Sequence, residues 1–258
     1  MARAIESRPA MRHPIAVLSL SVAVSLASLP AEGGDVTGRV IVEPAPVAKP
    51  AAAVPAPPEA PPEPAALVYV ENAPEPAGGF AWPKEFESPR VEMRSLAFRP
   101  REVIVRAGGS VAFENGDDLF HQPFSCSRGN RFDLGRYRKG EAPVVEFREP
   151  GLARVYCEVH SGMRAFVLVA RNPYCARVAP DGTFRIAGVP PGRHVVAIAY
   201  EGDVLERRPV EVAESGDAPP VEWRVAAAPR RSTDGEPRTA GAAVRPPCCA
   251  EETAAARR

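Results

Sequence analysis

The residues best suited to chemistry in this chain are one cysteine, two histidines and one methionine. Cys157, His160 and Met163 form a Cys-x2-His-x2-Met run, and His121 lies 36 residues before the cysteine. The whole chain has only four histidines and four methionines, so this spacing is uncommon by chance. Two histidines and one cysteine in a plane, with a long and weak axial methionine, are the donor set of blue-copper electron-transfer sites.

Other metals fit this donor set less well. Methionine is not a usual zinc ligand, calcium and magnesium prefer oxygen, and iron–sulfur clusters need more thiolates. Thiolate and thioether sulfur favour Cu(I), whereas imidazole also suits Cu(II), so such a site can exchange one electron with little rearrangement. We therefore expect one type 1 copper ion as the cofactor, bound by His121, Cys157, His160 and Met163.

The elements that must position these ligands are predicted to be short strands. Cys157 shares a strand face with Val155, so its sulfur should point inward, and a loop of only five residues joins it to Met163. Gly, Asn and Pro turns separate the strands, among them Asn115-Gly116-Asp117-Asp118, which we interpret as a turn rather than as a catalytic acid pair. This pattern predicts a β-sandwich. The predicted strands are Met93–Phe98, Glu102–Arg106, Ser110–Asn115, Phe120–Ser125, Val144–Arg148, Ala153–Val159 and Ala165–Ala170.

Residues 91–170 resemble plastocyanin-like cupredoxins, and the short ligand loop is most similar to that of amicyanin. The resemblance is carried by residues 98–108, 111–115 and 156–163 together with His121. It implies a Greek-key β-sandwich of about eight strands with copper at one end. It also implies that His160 is the ligand nearest solvent, where electrons enter and leave, and that His121 is more buried.

A second, shorter stretch resembles part of a carboxypeptidase-regulatory-like, or prealbumin-like, β-sandwich. Residues 181–192 carry this resemblance, and such modules begin with a Gly-x-Val strand that Gly38–Val42 could supply, followed by a Val-rich strand such as Leu67–Val70. Our hypothesis is that the copper domain is inserted into this smaller sandwich, which would comprise residues 35–72 and 172–225. The expected fold class is therefore all-β, with two sandwiches.

The remaining segments are predicted to lie outside both sandwiches. Residues 1–31 have a basic start, an apolar run and a small-residue cleavage pattern, which indicates a signal peptide. A short membrane anchor is the alternative, although an apolar run of about 15 residues is short of the roughly 20 that span a bilayer. Residues 44–64 hold nine prolines and are predicted to be a semi-stiff spacer, and residues 226–258 a disordered tail.

Export permits disulfides, and a bridge between Cys126 and Cys175 is one possibility. Cys248 and Cys249 are adjacent in the predicted tail and have no defined role. His194 follows a glycine turn with no metal motif near it, so we expect it to be structural.

The function favoured by these residues is that of a periplasmic or cell-surface electron carrier rather than an enzyme. Lysine and arginine number 32, as do aspartate and glutamate, and this balance argues against nucleic-acid binding. The expected partners are redox proteins that dock near His160, and no membrane span is expected after signal cleavage. Two alternatives stay open: a copper-binding or copper-delivery protein without a redox cycle, and a cell-surface structural module.

Overall fold

The computed structural model describes residues 33–43, 66–75, 79–160, 162–214 and 216–226. Within these ranges the chain forms sixteen strands and one 3-10 helix, Lys84–Phe86, and no α-helix, which confirms the all-β fold class. The same ranges hold no helix long and apolar enough to cross a bilayer. The predicted signal peptide, the proline-rich spacer and the tail beyond Ala226 lie outside the described residues.

The sixteen strands are numbered in chain order. They are β1 (Gly34–Glu43), β2 (Ala66–Val70), β3 (Arg90–Arg94), β4 (Ala97–Arg99), β5 (Glu102–Arg106), β6 (Gly109–Asn115), β7 (Pro123–Ser125), β8 (Phe132–Asp133), β9 (Val144–Phe147), β10 (Gly151–Cys157), β11 (Arg164–Ala170), β12 (Cys175–Arg177), β13 (Thr183–Val189), β14 (Gly192–Tyr200), β15 (Asp203–Val212) and β16 (Val221–Ala226).

Strands β3 to β11 form what we call the central sandwich. One of its sheets has the order β4-β3-β6-β9 and the other the order β5-β11-β10-β7-β8. Alternation along β6 buries Val111 and Phe113 while Ser110 and Ala112 stay partly exposed, as period-two patterning requires. Phe98 and Phe147 complete a core that lies between the two sheets.

The five-stranded sheet of the central sandwich is buried on both faces. Along β11, Val167 and Val169 enter the central core, whereas Leu168 and Ala170 belong to a separate cluster. That second cluster includes Leu67 and Ala199, two residues from strands outside the central sandwich. Every residue of β11 after Arg164 is therefore buried, because a further layer covers the outer face of the sheet.

The remaining strands form what we call the flanking sandwich, with sheets β13-β1-β16 and β12-β2-β14-β15 around a core centred on Trp223. Gly38 in β1 pairs with Phe184 in β13, and Tyr69 in β2 pairs with Ala197 in β14. Strands before residue 91 thus share sheets with strands after residue 170, which is the pairing that the insertion hypothesis requires. The domain boundaries and the likeness to carboxypeptidase-regulatory-like modules stay predictions.

Two predicted strands are wrong in detail: Phe120–Ser125 shortens to β7, and Met93–Phe98 is interrupted by a turn. Residues 93–98 do not form a single strand but a hairpin in which β3 and β4 are joined by Ser95 and Leu96, both with positive φ (54° and 59°). No glycine or asparagine marks this turn. The Asp117 carboxylate accepts the backbone N–H groups of Ser95 and Leu96, at 2.7 and 3.1 Å, which stabilises a conformation these residues seldom adopt.

Candidate metal centre

His121 is held in place through its backbone. Its N–H and C=O pair with the C=O and N–H of Tyr137 at 3.3 and 3.1 Å, in an isolated bridge next to β7. The Asn115 side-chain amide, itself fully buried, donates to the carbonyls of Leu119 and Tyr137. These hydrogen bonds hold the backbone at Leu119 and at Tyr137, on either side of His121. The His121 side chain is 0% exposed.

The His121 ring is oriented by a carboxylate. Nε2 of His121 donates to Oδ2 of Asp117 at 3.0 Å. Burial acts to raise the pKa of Asp117, but hydrogen bonds from the Leu96 and Ser95 backbone and from His121 outweigh it and lower that pKa below its ordinary value. An ionised carboxylate only accepts, so the His121 proton resides on Nε2 and Nδ1 keeps a free lone pair.

The other three predicted ligands come from the β10–β11 hairpin. Cys157 ends β10, and the loop returns so that the Cys157 N–H donates to the Met163 carbonyl at 3.3 Å. The Glu158 N–H donates to the Gln122 carbonyl at 3.0 Å, which ties this loop to the segment beside His121. Cys157 and Met163 are both 4% exposed and belong to the central core.

Three donor atoms converge at this end of the central sandwich. Sγ of Cys157 lies 3.7 Å from Nδ1 of His121 and 3.7 Å from Nδ1 of His160, and the two Nδ1 atoms are 3.2 Å apart. A point in the plane of these atoms is about 2.1 Å from each of them, close to the roughly 2.0–2.3 Å of metal bonds to imidazole nitrogen and thiolate sulfur. The donor set and its spacing therefore fit a metal ion.

The two histidines differ in exposure. His121 is fully buried, whereas His160 is only partly buried. Burial, then the neighbouring His121, lowers the pKa of His160, and the Asp117 charge opposes that shift. The neutral imidazole that a metal requires is thus favoured at His160.

Four exposed apolar residues are neighbours of the ligands along the chain or through Asp117. Among the described residues, six large apolar side chains are exposed. Leu119 and Phe120 precede His121, Val159 precedes His160, and Leu96 donates its N–H to Asp117. Leu96, Leu119, Phe120 and Val159 are 48%, 52%, 50% and 38% exposed, respectively. We call these four residues the apolar rim.

The structure brings three of the four predicted ligands together and places the fourth in the same core cluster. His121, Cys157 and His160 form the only group of three or more His, Cys, Asp and Glu donors found in the part of the chain that is described. His194 lies apart from this group, in β14.

The possible bridge between Cys126 and Cys175 is wrong. Cys175 is a buried free thiol, whereas Cys126 is disulfide-bonded. Cys175 lies in the cluster between the two sandwiches, with its sulfur 3.8 and 3.7 Å from the carbonyls of Asn172 and Pro173. Cys248 and Cys249 lie outside the described residues.

Asp117 has a role that was not predicted from the sequence. The turn interpretation of residues 115–118 is sound, since the Asp117 N–H bonds to Oδ1 of Asn115 at 2.9 Å. The same turn also aims the Asp117 carboxylate at His121. The signal in the sequence that could have indicated this role is the position of Asp117, a carboxylate four residues before the candidate ligand His121.

Comparison with known proteins gave no matching family model and no matching curated protein. A solved structure titled a novel purple cupredoxin from Nitrosopumilus maritimus is 18% identical over 31% of this chain and 98% of its own, with a TM-score of 0.29. An oxidised amicyanin variant is 19% identical over 40% of this chain and 98% of its own, with a TM-score of 0.31. A copper-containing nitrite reductase from Thermus scotoductus is 21% identical over 39% of this chain and 25% of its own, with a TM-score of 0.31.

Proposed function

We propose that this chain is an exported protein that binds one type 1 copper ion and carries single electrons between redox partners. The observation that carries this proposal is the convergence of His121, Cys157 and His160 on one point at metal-bond distance. Lone pairs on these atoms repel one another in a buried space, and a cation at that point removes the repulsion. Met163 is proposed as the weak axial ligand.

The role proposed for the protein is to fix the positions of these donor atoms. Copper bound there would supply one-electron chemistry by alternating between Cu(II) and Cu(I). Asp117 fixes the tautomer and orientation of His121, and the end of β10 fixes Cys157. Rigid support of this kind keeps the same geometry for both charge states, and burial of the sulfur restricts side reactions.

His160 is proposed as the route for electrons, since it is the more exposed of the two imidazoles. The apolar rim beside it is proposed as the docking surface for a redox partner. Electron-transfer encounters are weak and bury less than about 1,200 Å² in total, and a few exposed apolar side chains around one ligand suit such a contact. Arg138 lies over the Phe120 ring, 5.9 Å from its centroid, and adds a positive charge to this surface.

A carrier role is preferred to an enzymatic one. A copper oxidase or nitrite reductase needs further copper ligands, and the described residues supply one such group. Export, proposed from the signal-like residues 1–31, would place the carrier in the periplasm or at the cell surface.

The test is to load the full chain with Cu(II) and record its optical and electron paramagnetic resonance spectra and its voltammogram. We expect an intense visible thiolate-to-copper band and a reversible one-electron wave. Cys157→Ser should abolish the band, whereas Cys175→Ser should retain it because Cys175 is a buried thiol in the other cluster. Stoichiometric copper without a thiolate band in the wild-type chain contradicts the proposal.

The same measurements separate the alternatives. A thiolate band without a reversible wave supports copper delivery in place of electron transfer. A full chain that binds no copper and is unaffected by Cys157→Ser supports a structural module.

A further inference from the structure

The β10–β11 hairpin has two faces that are buried by different parts of the molecule. It carries three of the four proposed ligands, because Cys157 ends β10 and Met163 immediately precedes β11. Its inward side chains, such as Val155 and Val167, lie in the core of the central sandwich. Phe166 faces the other way and is still only 2% exposed. Whatever covers Phe166 therefore also contacts the ligand hairpin.

The turn between β14 and β15 of the flanking sandwich provides this cover. Gly202 has a φ of +82°, and a Cβ atom at that position would collide with Cδ1 and Cε1 of Phe166 and lie 3.3 Å from Cγ of Arg154. Glycine is required here both for the left-handed conformation and for the close approach of the backbone to the ring. The turn thus rests directly on both strands of the hairpin.

Two ion pairs flank this contact. Nη2 of Arg101 lies 3.0 Å from Oε1 of Glu201, and Arg154 pairs with Asp203. The Arg101 and Glu201 side chains are only 24% and 25% exposed, so solvent screens this pair less than an ordinary surface pair. The Arg101 guanidinium also lies 5.7 Å from the centroid of the Phe166 ring.

The hairpin residues that contact this turn are close to the proposed ligands along the chain. Arg154 is three residues before Cys157 and Phe166 is three residues after Met163, which corresponds to about 10 Å along a strand. His121 is tied to the hairpin through the Glu158–Gln122 bond, but it is also anchored outside the hairpin by its bonds to Tyr137 and Asp117. A shift of the hairpin would therefore move three ligands relative to the fourth.

We propose that residues 200–203 of the flanking sandwich are a positioning brace for the ligand hairpin. They hold Cys157, His160 and Met163 in register with His121, in the metal-free chain as well as in the loaded one. The identity of the ligands rests on the proposed function, but the mechanical effect of the brace on the hairpin does not depend on copper. This assignment gives the flanking sandwich a role in a site to which none of its described residues contributes a ligand.

The test compares two glycine variants of the full, metal-free chain by hydrogen exchange. Gly202→Ala places a methyl group against Phe166, whereas Gly188→Ala, at a φ of +65°, meets nothing within 4 Å. Both variants suffer the strain of alanine at positive φ, so Gly188→Ala is the matched control. We expect amides of residues 151–157 and 164–170 to exchange at least about tenfold faster in Gly202→Ala than in the control. Equal exchange in the two variants, or a change confined to residues 192–212, overturns the brace.

A second variant protects the test against misfolding. If Gly202→Ala shows no cooperative melt, the double variant Glu201→Gln with Asp203→Asn decides, because it removes both ion pairs without adding volume. We expect a smaller acceleration of about threefold in the same hairpin amides, and no acceleration there overturns the brace.

A loaded-protein readout separates this proposal from the proposed function. In copper-loaded Gly202→Ala we expect a broadened or shifted paramagnetic resonance spectrum, with Gly188→Ala unchanged. If the wild-type chain binds no copper, the proposed function fails, while hydrogen exchange in the metal-free chain still decides on the brace.

Discussion

Each of the two sandwiches buries a histidine and a free cysteine, but among the described residues only the central sandwich brings such donors together in a group that could hold a metal ion. In the central sandwich, Nδ1 of His121 and Sγ of Cys157 are 3.7 Å apart. In the flanking sandwich, His194 donates through Nε2 to the Pro190 carbonyl at 2.7 Å and leaves Nδ1 without a hydrogen-bond partner. Burial raises the pKa of Cys175 to about 12, which disfavours its thiolate. The comparison shows that the same buried residue types become a site only where loops and strand ends bring them to a common point.

The largest expected difference is between His121→Ala and His194→Ala. The first variant should lose copper affinity by more than about 100-fold, since removing a ligand costs more than removing its outer-shell partner. The second should keep the wild-type affinity, although loss of a buried side chain lowers its stability. Competition titrations with a calibrated copper chelator measure both. Equal losses in the two variants would contradict the assignment of the site to one sandwich.

A smaller effect is expected at the contact between the sandwiches, where Glu102 is 8% exposed and its Oε1 has no hydrogen-bond partner. Burial raises the pKa of Glu102 to about 7, and the charges of Arg101 and Arg177 oppose this while that of Glu201 adds to it. Because the pKa of Glu102 is higher in the folded protein, its contribution to the free energy of unfolding is greatest below about pH 4.5. This contribution is lost as the pH rises towards about 7.

Glu102→Gln removes this pH dependence, because the amide is neutral throughout. We expect the variant to be more stable than the wild type by about 3 kcal/mol at pH 8 and nearly equal to it at pH 4.5. Urea unfolding at both pH values measures the difference. Glu211→Gln, on the exposed side of β15, is the control and should show no such trend; a gain that is the same at both pH values would contradict the prediction.

The smallest expected effect concerns the groups that orient the two buried histidines. His121 meets a carboxylate, whereas His194 meets a backbone carbonyl. Asp117→Asn keeps the size of the side chain but removes its charge, so we expect copper affinity to fall by about 10- to 100-fold. The reduction potential should rise, because Cu(II) loses more stabilisation than Cu(I). Asp118→Asn, whose carboxylate is paired with Lys139 on the surface, is the matched control, and an identical response from the two variants would rule out a specific role for Asp117.

Much of the central sandwich could be predicted from patterning. Strand β5 was predicted at its observed bounds, and β6 and β11 within one residue, because period-two alternation and apolar runs reflect burial directly. The run from Ala165 to Ala170 is apolar at every position, which indicates a strand buried on both faces. The sequence does not identify the covering layer, since Leu67 and Ala199 are far from β11 along the chain.

Errors arose where side chains distant in sequence determine the backbone. The hairpin at Ser95 and Leu96 has no turn signature of its own and depends on Asp117, more than twenty residues later. The short strands β8 and β12 were not predicted, because two or three residues carry too little periodicity.

The sequence by itself determined the all-β class and the donor types at residues 121, 157, 160 and 163, because spacing along strands and a tight loop is a local property. Only the tertiary structure decided that Asp117 orients His121, that Cys175 stays a free thiol, and that a turn of the flanking sandwich rests on Phe166. Gly202 and Phe166 are 36 positions apart along the chain. A contact of this kind forms only once folding has offset the entropy of bringing the two segments together.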